Sequence, residues 1–124
     1  MGSLPAALLF LDRCGRPDAG LVLDLLHLMR SAGSLDVLDL VDAFRVGAVQ
    51  LCDGPETYEG DLLEEAGQNR GVPGTGHFPC REFLAWLPED AIVGVEVPRS
   101  LARDTRTLDE RASELRDATL ALYS

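Results

Sequence analysis

Three short, nearly continuous apolar runs punctuate the sequence, and longer mixed segments separate them. The runs read LVLDLL at 21–26, FRVGAVQLC at 44–52 and AIVGVEV at 91–97. Apolar runs of about four to eight residues that follow a turn signal are typical of strands buried on both faces of a sheet. The pattern therefore predicts strands over 21–25, 45–51 and 91–97.

The segments around these runs carry the spacing and capping signals of helices. The last predicted helix has an apolar stripe at helical spacing: Leu108, Ala112, Leu115, Thr119 and Leu122. The predicted helices are 4–14, one capped by Ser34, a small acidic one near 59–67, one opened by Pro79, and one that begins at the capping box Thr107–Glu110.

Strands therefore alternate with helices in the order α-β-α-β-α-α-β-α. Connections that contain helices join parallel strands, and their crossovers are expected to be right-handed. Three parallel strands with their helices are about three eighths of a (β/α)8 TIM barrel, which needs roughly 250 residues when complete. At 124 residues, the chain is predicted to be a single α/β domain, 1–124, that forms part of such a barrel.

The composition is that of a globular protein with a strong acidic excess. The 11 basic residues, all of them Arg, stand against 21 acidic residues, and the net charge is −10. A field of this sign repels a phosphate backbone, so neither nucleic acid nor an anionic membrane is expected as a partner. The well-separated Cys14, Cys52 and Cys80 favour reduced thiols in the cytoplasm over a disulfide framework or a zinc site. No signal peptide or membrane span is predicted.

Each predicted strand carries one polar side chain toward its C-terminal end. These are Asp24, Gln50 and Glu96, and burying such groups within apolar strands is costly unless they are paired. Active sites of α/β barrels lie at these strand ends, where three oxygen donors can bind one hard divalent cation such as Mn²⁺ or Mg²⁺. His27 adds a ligand or a titratable group. For each residue taken singly, the alternative is a salt bridge, a helix cap or a hydrogen-bonded histidine; Asp53 is interpreted as a turn residue.

A glycine-rich loop, Arg70-Gly-Val-Pro-Gly-Thr-Gly-His77, is the second candidate feature. Its glycines and proline predict a tight loop whose backbone can approach a ligand closely, and the planar fork of Arg70 suits a carboxylate, a phosphate or paired hydroxyls. An ordinary Gly/Pro connection is the alternative. The acidic residues that precede the loop are interpreted as a solvated face; they are Glu56, Glu59, Asp61, Glu64 and Glu65.

Four segments follow one another along the chain: Leu23-Asp24-Leu-Leu-His27, Val49-Gln50-Leu-Cys-Asp53, Asn69-Arg70-Gly-Val-Pro73-Gly74-Thr-Gly76 and Val95-Glu96-Val97. In this order they resemble the C-terminal part of the xylose-isomerase-like TIM barrels. That group contains sugar-phosphate isomerases and epimerases, dehydratases and family-2 AP endonucleases. The resemblance spans nearly the whole chain, and it implies the last three βα units of a barrel, preceded by the fifth helix.

The resemblance also implies a divalent metal, often Mn²⁺, held by four strand-end residues. Asp24, Gln50 and Glu96 match three of these ligands, while the fourth, a glutamate on the fifth barrel strand, is not in this sequence. It further implies that Glu96 and His27 take part in proton transfer and that Arg70 contacts the substrate.

The implied activity is proton abstraction next to the carbonyl of a small polyhydroxylated substrate or sugar acid, by an isomerase, an epimerase or a dehydratase. Gln50 favours the dehydratases, and the negative charge disfavours the endonucleases. The chain is expected to be incomplete as an enzyme on its own. The alternative is a non-catalytic, truncated or split barrel module that associates with another copy or with a chain that supplies the rest of the barrel.

Overall fold

A computed structural model describes residues 3–100 and 104–124. Its helices are α1 (Leu4–Cys14), α2 (Leu25–Ala32), α3 (Leu62–Gln68), α4 (Cys80–Trp86) and α5 (Leu108–Leu122). Its strands are β1 (Leu21–Asp24), β2 (Val46–Leu51) and β3 (Val93–Val95), and short 3-10 segments lie at Leu35–Leu40 and Ala43–Arg45. None of the helices within the described ranges is long and apolar enough to cross a membrane.

The three strands form a parallel sheet in the order β1-β2-β3, which confirms the prediction from the alternation of strands and helices. In this register Asp24 is opposite Gln50, and Gln50 is opposite Gly94. The strands point the same way, so their carboxyl ends meet at one end of the sheet. This is the arrangement of consecutive βα units in a barrel.

The helices cover only one face of this sheet. Leu23 of β1 and Val49 and Leu51 of β2 belong to the buried core, whereas Val22 is 62% exposed. Successive side chains of a strand point to opposite faces of the sheet. Burial of the strands on both faces is therefore wrong for the described part of this chain. In a closed barrel the second face becomes the interior, which side chains from the remaining strands fill.

Helix α2 begins immediately after β1, where the sequence pattern predicts no separate helix. The Asp24 carboxylate accepts a hydrogen bond from the backbone N–H of Leu26 at 3.0 Å, which caps the helix. Gly33 ends α2 with a φ of 77°, a left-handed conformation that glycine adopts without a steric penalty. The cap Ser34 is real, but it precedes a 3-10 segment rather than the predicted α-helix.

The sequence after Asp24 does not predict α2 as a separate helix, because the helix begins with apolar residues that are buried. Leu25, Leu26 and Leu28 are all buried, and the first two continue the apolar run that begins in β1. A short apolar run of this kind has the same pattern in a strand and in a buried helix.

Helix α5 closes the fold at its C-terminal end. Its capping box is confirmed: the Thr107 hydroxyl accepts from the N–H of Glu110, and the Glu110 carboxylate accepts from the N–H of Thr107. Leu115 and Leu122 of the predicted stripe pack against the core, but Leu108 is 80% exposed. Before the helix, the hydrogen bond from Arg106 lowers the pKa of Asp104 to about 2, so this carboxylate holds its charge down to low pH.

Candidate functional site

The polar strand-end residues come together at the carboxyl end of the sheet. Asp24 and Gln50 are paired residues on neighbouring strands. Glu96 follows β3 directly and lies two residues beyond Gly94, the partner of Gln50. The backbone N–H of Glu96 donates to the carbonyl of Leu51 at 2.9 Å, which continues the pairing of β2 and β3. Residues two apart share a face of the sheet, so all three polar side chains lie on its uncovered face.

The two oxygens of the Asp24 carboxylate have different partners. Oδ1 caps α2 through the N–H groups of Leu26 and His27. Oδ2 accepts a hydrogen bond from Nη1 of Arg70 at 2.8 Å and lies 3.7 Å from Nε2 of His27. The carboxylate therefore serves as a helix cap and an ion-pair partner at once, and its Oδ2 is the atom that faces the other site residues.

Arg70 connects the two carboxylates of the site. Its Nη1 lies 2.8 Å from Asp24 and 3.5 Å from Oε2 of Glu96, while its Nε donates to the carbonyl of Ala66 at 2.8 Å. The side chain is almost fully buried. Burial alone would lower the pKa of Arg70, but its hydrogen bond to Asp24 and the negative charge of that carboxylate outweigh the effect and raise the pKa. The guanidinium is therefore a fixed positive charge between the predicted metal ligands.

Cys52 contacts this guanidinium, with its Sγ 3.8 Å from Nη1 of Arg70. Burial raises the pKa of the Cys52 thiol to about 11, although the nearby Arg70 acts in the opposite direction. The thiol is therefore uncharged at neutral pH and acts as packing rather than as a nucleophile.

His27 stands on the first turn of α2 at the edge of the same cluster. Its side chain is 40% exposed, and its Nε2 faces Asp24. Nδ1 is buried and has no hydrogen-bond partner among the described residues. The histidine thus has one nitrogen directed at the site, as its predicted role in proton transfer requires.

The donor chemistry of the site suits a hard divalent cation, but this chain supplies only part of a coordination shell. Asp24, Gln50 and Glu96 offer carboxylate and amide oxygens, which Mn²⁺ and Mg²⁺ prefer. Across residues 3–100 and 104–124, no three His, Cys, Asp or Glu side chains are grouped so that they can hold a metal ion. The residues fit such a cation in kind, and further donors have to come from outside the described residues.

No protein-family model matches the chain, and no curated protein matches it. Solved structures do match it, among them the following two. One is the crystal structure of the IolI protein with a bound zinc atom, which superposes with a TM-score of 0.79 at 21% sequence identity. The other is a xylose isomerase domain protein from Alicyclobacillus acidocaldarius subsp. acidocaldarius, with a TM-score of 0.65 at 24% identity.

The matches span 97% and 98% of this chain. The chain has the fold of part of each of these two structures. It corresponds to 43% of the IolI chain and 40% of the second chain. The partial barrel thus spans about two fifths of the length of each solved structure, in agreement with the fold class predicted from the strand pattern.

Asp53, interpreted from the sequence as a turn residue, is a buried hydrogen-bond acceptor in the partial barrel. It is fully buried, and its carboxylate accepts hydrogen bonds from backbone N–H groups of the glycine-rich loop. The backbone N–H groups of the loop thus bind a side chain of this chain rather than forming an open site for a ligand. An acid two residues after a strand, followed by a loop rich in glycine N–H donors, is the sequence signal that could have identified it.

Glu65 also differs from its sequence-based interpretation, which placed it on a solvated acidic face. Its side chain is almost fully buried and pairs with Arg30 of α2 through two hydrogen bonds, at 2.8 Å and 2.6 Å. Assigning Glu65 to a solvated face is therefore wrong. The pair joins α2 to α3 and holds the segment that leads into the glycine-rich loop.

Proposed function

We propose that this chain supplies one side of the active site of a divalent-metal-dependent isomerase or epimerase of sugars or sugar phosphates, or of a related dehydratase. The reaction is proton abstraction next to a carbonyl, and the chain is incomplete as an enzyme on its own. The observation that carries the proposal is the placement of Asp24, Gln50 and Glu96 at the carboxyl ends of three adjacent parallel strands. Barrel enzymes place their reacting groups at this end.

Asp24, Gln50 and Glu96 are the residues that would hold the cation, and the zinc atom in the IolI structure supports a divalent metal. Oxygen ligands of this kind favour Mn²⁺ or Mg²⁺ for this chain. A bound cation supplies polarisation of the substrate carbonyl, which makes the neighbouring C–H group more acidic.

The two carboxylates of the site differ in accessibility, and this separates their roles. The side chain of Glu96 is 41% exposed, whereas that of Asp24 is 9% exposed and is fixed by the cap of α2 and by Arg70. Glu96 is therefore the group placed to accept the proton from the substrate carbon. His27, also accessible, is the alternative proton-transfer group. Arg70 forms ion pairs with both carboxylates and orients the substrate oxygen atoms that come within reach of its guanidinium.

Titration with Mn²⁺, followed by calorimetry, tests the site. Asp24→Asn keeps an amide oxygen to cap α2, and Glu96→Gln keeps the side-chain volume, so both should fold. Each should weaken binding by about tenfold or more, because loss of a metal ligand costs at least as much as loss of one of its hydrogen-bond partners.

Asp61→Asn is the matched control, since Asp61 caps α3 in the same way that Asp24 caps α2 and lies outside the strand ends. It should bind Mn²⁺ like the wild-type chain. Absence of binding by the wild-type chain, or an equal loss in Asp61→Asn, contradicts the proposal.

A second candidate function is supported by the uncovered side of the sheet. β1 and β3 are the edge strands of the parallel sheet, and Val22, Phe44 and Ile92 are exposed apolar side chains in or next to its strands. Open edges and exposed apolar surface favour association. On this proposal the chain is a non-catalytic barrel module that pairs with another copy or with a chain carrying the other strands.

Light scattering after size exclusion tests this association. The wild-type chain should elute with a mass well above 13.4 kDa, and Val22→Lys should shift it toward the monomer because the charge lies on the uncovered face. Leu63→Lys places the same charge at an exposed leucine of α3 and should leave the mass unchanged. A monomeric wild-type chain contradicts association with itself.

A further inference from the structure

The Asp53 carboxylate is the acceptor for four backbone N–H groups. Oδ1 accepts from Gly54 at 2.7 Å and from Phe78 at 2.9 Å, and Oδ2 accepts from Gly74 and Gly76, each at 2.9 Å. A carboxylate offers about four lone-pair sites, so these bonds use its full capacity. Hydrogen bonds to an ionised acceptor are among the stronger ones in proteins. The side chain thus fixes the far end of the loop, from Gly74 to Phe78.

The backbone of Asp53 fixes the near end of the same loop. Its N–H donates to the carbonyl of Gly71 at 2.9 Å, and its carbonyl accepts from the N–H of Gly71 at 2.7 Å. Arg70, the preceding residue, donates its own N–H to the carbonyl of Pro98 at 3.3 Å. The backbone of Arg70 is therefore held between the chain that leaves β2 and the chain that leaves β3.

Two glycines of the loop permit this close approach. A Cβ at Gly76 would clash with Oδ1 of Asp53 and with the carbonyl oxygen of Gly54, and a Cβ at Gly71 would lie 3.0 Å from the Asp53 backbone. A side chain at Gly76 would therefore have to displace the carboxylate or the backbone of Gly54. The wrapping of the loop around Asp53 thus accounts for Gly71 and Gly76, while Gly74 has a φ of 81°, a conformation that favours glycine.

We propose that Asp53 is a positioning residue of the strand-end site. It acts as an internal anion that shapes the loop 70–78 and, through the backbone at Gly71, places the guanidinium of Arg70 between Asp24 and Glu96. The inference rests on the proposed function, in which these two carboxylates belong to the site. Without the Asp53 carboxylate, four N–H donors lose their acceptor, and the two from Gly54 and Phe78 are buried, where an unsatisfied donor is costly. The loop then opens, and Arg70 is no longer held at the strand ends.

The test is chemical rescue of Asp53→Ala, read at Arg70 by NMR. The Nε–H of Arg70 donates to the carbonyl of Ala66 and is buried, so it should give a slowly exchanging resonance, assigned by its loss in Arg70→Gln. In Asp53→Ala this proton should exchange at least tenfold faster. Formate should restore slow exchange because it returns a carboxylate to the cavity. Formamide, which has the same shape and no charge, should not.

Leu38→Ala is the matched control for a purely structural loss, since Leu38 is buried in the core and belongs to the 3-10 segment Leu35–Leu40, outside the loop 70–78. Under conditions where this variant is folded, the Arg70 resonance should stay as in the wild-type chain. Unchanged exchange at Arg70 in Asp53→Ala, or equal rescue by formate and formamide, overturns the inference.

If Asp53→Ala does not fold with or without formate, Gly76→Ala is the variant that tests the positioning of Arg70. It retains the carboxylate but introduces a methyl group against Oδ1 of Asp53 and the carbonyl oxygen of Gly54, so the Arg70 proton should exchange faster, and formate should have no effect. Normal exchange in a folded Gly76→Ala overturns the inference. Because these measurements contain no metal, they remain valid if Mn²⁺ fails to bind, and failure of the proposed function is thereby distinguished from failure of the inference.

Discussion

Replacement of Arg30 with Met should lower the free energy of unfolding by about 3–5 kcal/mol, because it leaves the buried carboxylate of Glu65 without its cation. Arg30 binds both oxygens of Glu65 and also donates to the carbonyls of Pro55 and Glu56 at 2.8 Å and 3.1 Å. Its guanidinium lies over the ring of Phe78, 5.0 Å from the centroid. Urea denaturation, followed by circular dichroism, measures the change.

The control for this variant is Arg16→Met. Arg16 makes the same kind of bidentate pair with Asp18, but both side chains are largely exposed, and exposed pairs contribute little to stability. Adding Glu65→Gln to Arg30→Met should recover part of the loss, because the uncompensated charge is then removed. Equal stability of Arg16→Met and Arg30→Met would show that the buried Arg30–Glu65 pair contributes no more to the free energy of unfolding than an exposed pair does.

Replacement of Arg70 with Met should also destabilise the chain strongly, by about 3 kcal/mol, at the lower end of the range for a buried ion pair. The effect is smaller than at Arg30 because the Asp24 carboxylate retains the N–H groups of α2 as partners. The expected result in urea is a lower transition midpoint with an unchanged slope.

A double-variant comparison separates the charge of Arg70 from its packing. In an Asp24→Asn background, Arg70→Met should cost at least 1 kcal/mol less than in the wild-type background, because directly contacting ion pairs couple by about that amount or more. Arg116→Met is the control, since Arg116 pairs with Asp117 on the exposed surface of α5. Identical costs of Arg70→Met in the two backgrounds would contradict an ion pair between Arg70 and Asp24.

The sheet and most helices follow from local sequence patterns. The apolar runs that contain β1, β2 and β3, together with the helices between them, predict parallel strands in chain order, because helical crossovers permit no other simple arrangement. The capping box of α5 is equally local. Helix α2 is missed because Leu25 and Leu26, at its start, continue the apolar run of β1, so the run from Leu21 to Leu26 has the pattern of a single strand.

The residues of the candidate site likewise include some that local sequence patterns predict and others that they do not. Asp24, Gln50 and Glu96 stand out because each is a polar residue at the end of an apolar strand, and parallel pairing then brings the three to one end of the sheet. The roles of Asp53 and Glu65 depend on contacts with residues more than twenty positions away in the chain. No periodicity or cap encodes such contacts, so a local pattern shows only a turn at Asp53 and an acidic surface at Glu65.

A cation site at the carboxyl ends of the three strands is best tested by the location of Mn²⁺ on the folded chain. Trace Mn²⁺ broadens the amide resonances nearest to it, and the signals lost first in a two-dimensional NMR spectrum give its position. With Mn²⁺ at the strand ends, the first losses should be at Asp24, Gln50 and Glu96 and their neighbours. First losses instead at the exposed acids Glu56, Glu59 and Asp61 would show that the cation binds only the negative surface, and would contradict a site at the strand ends.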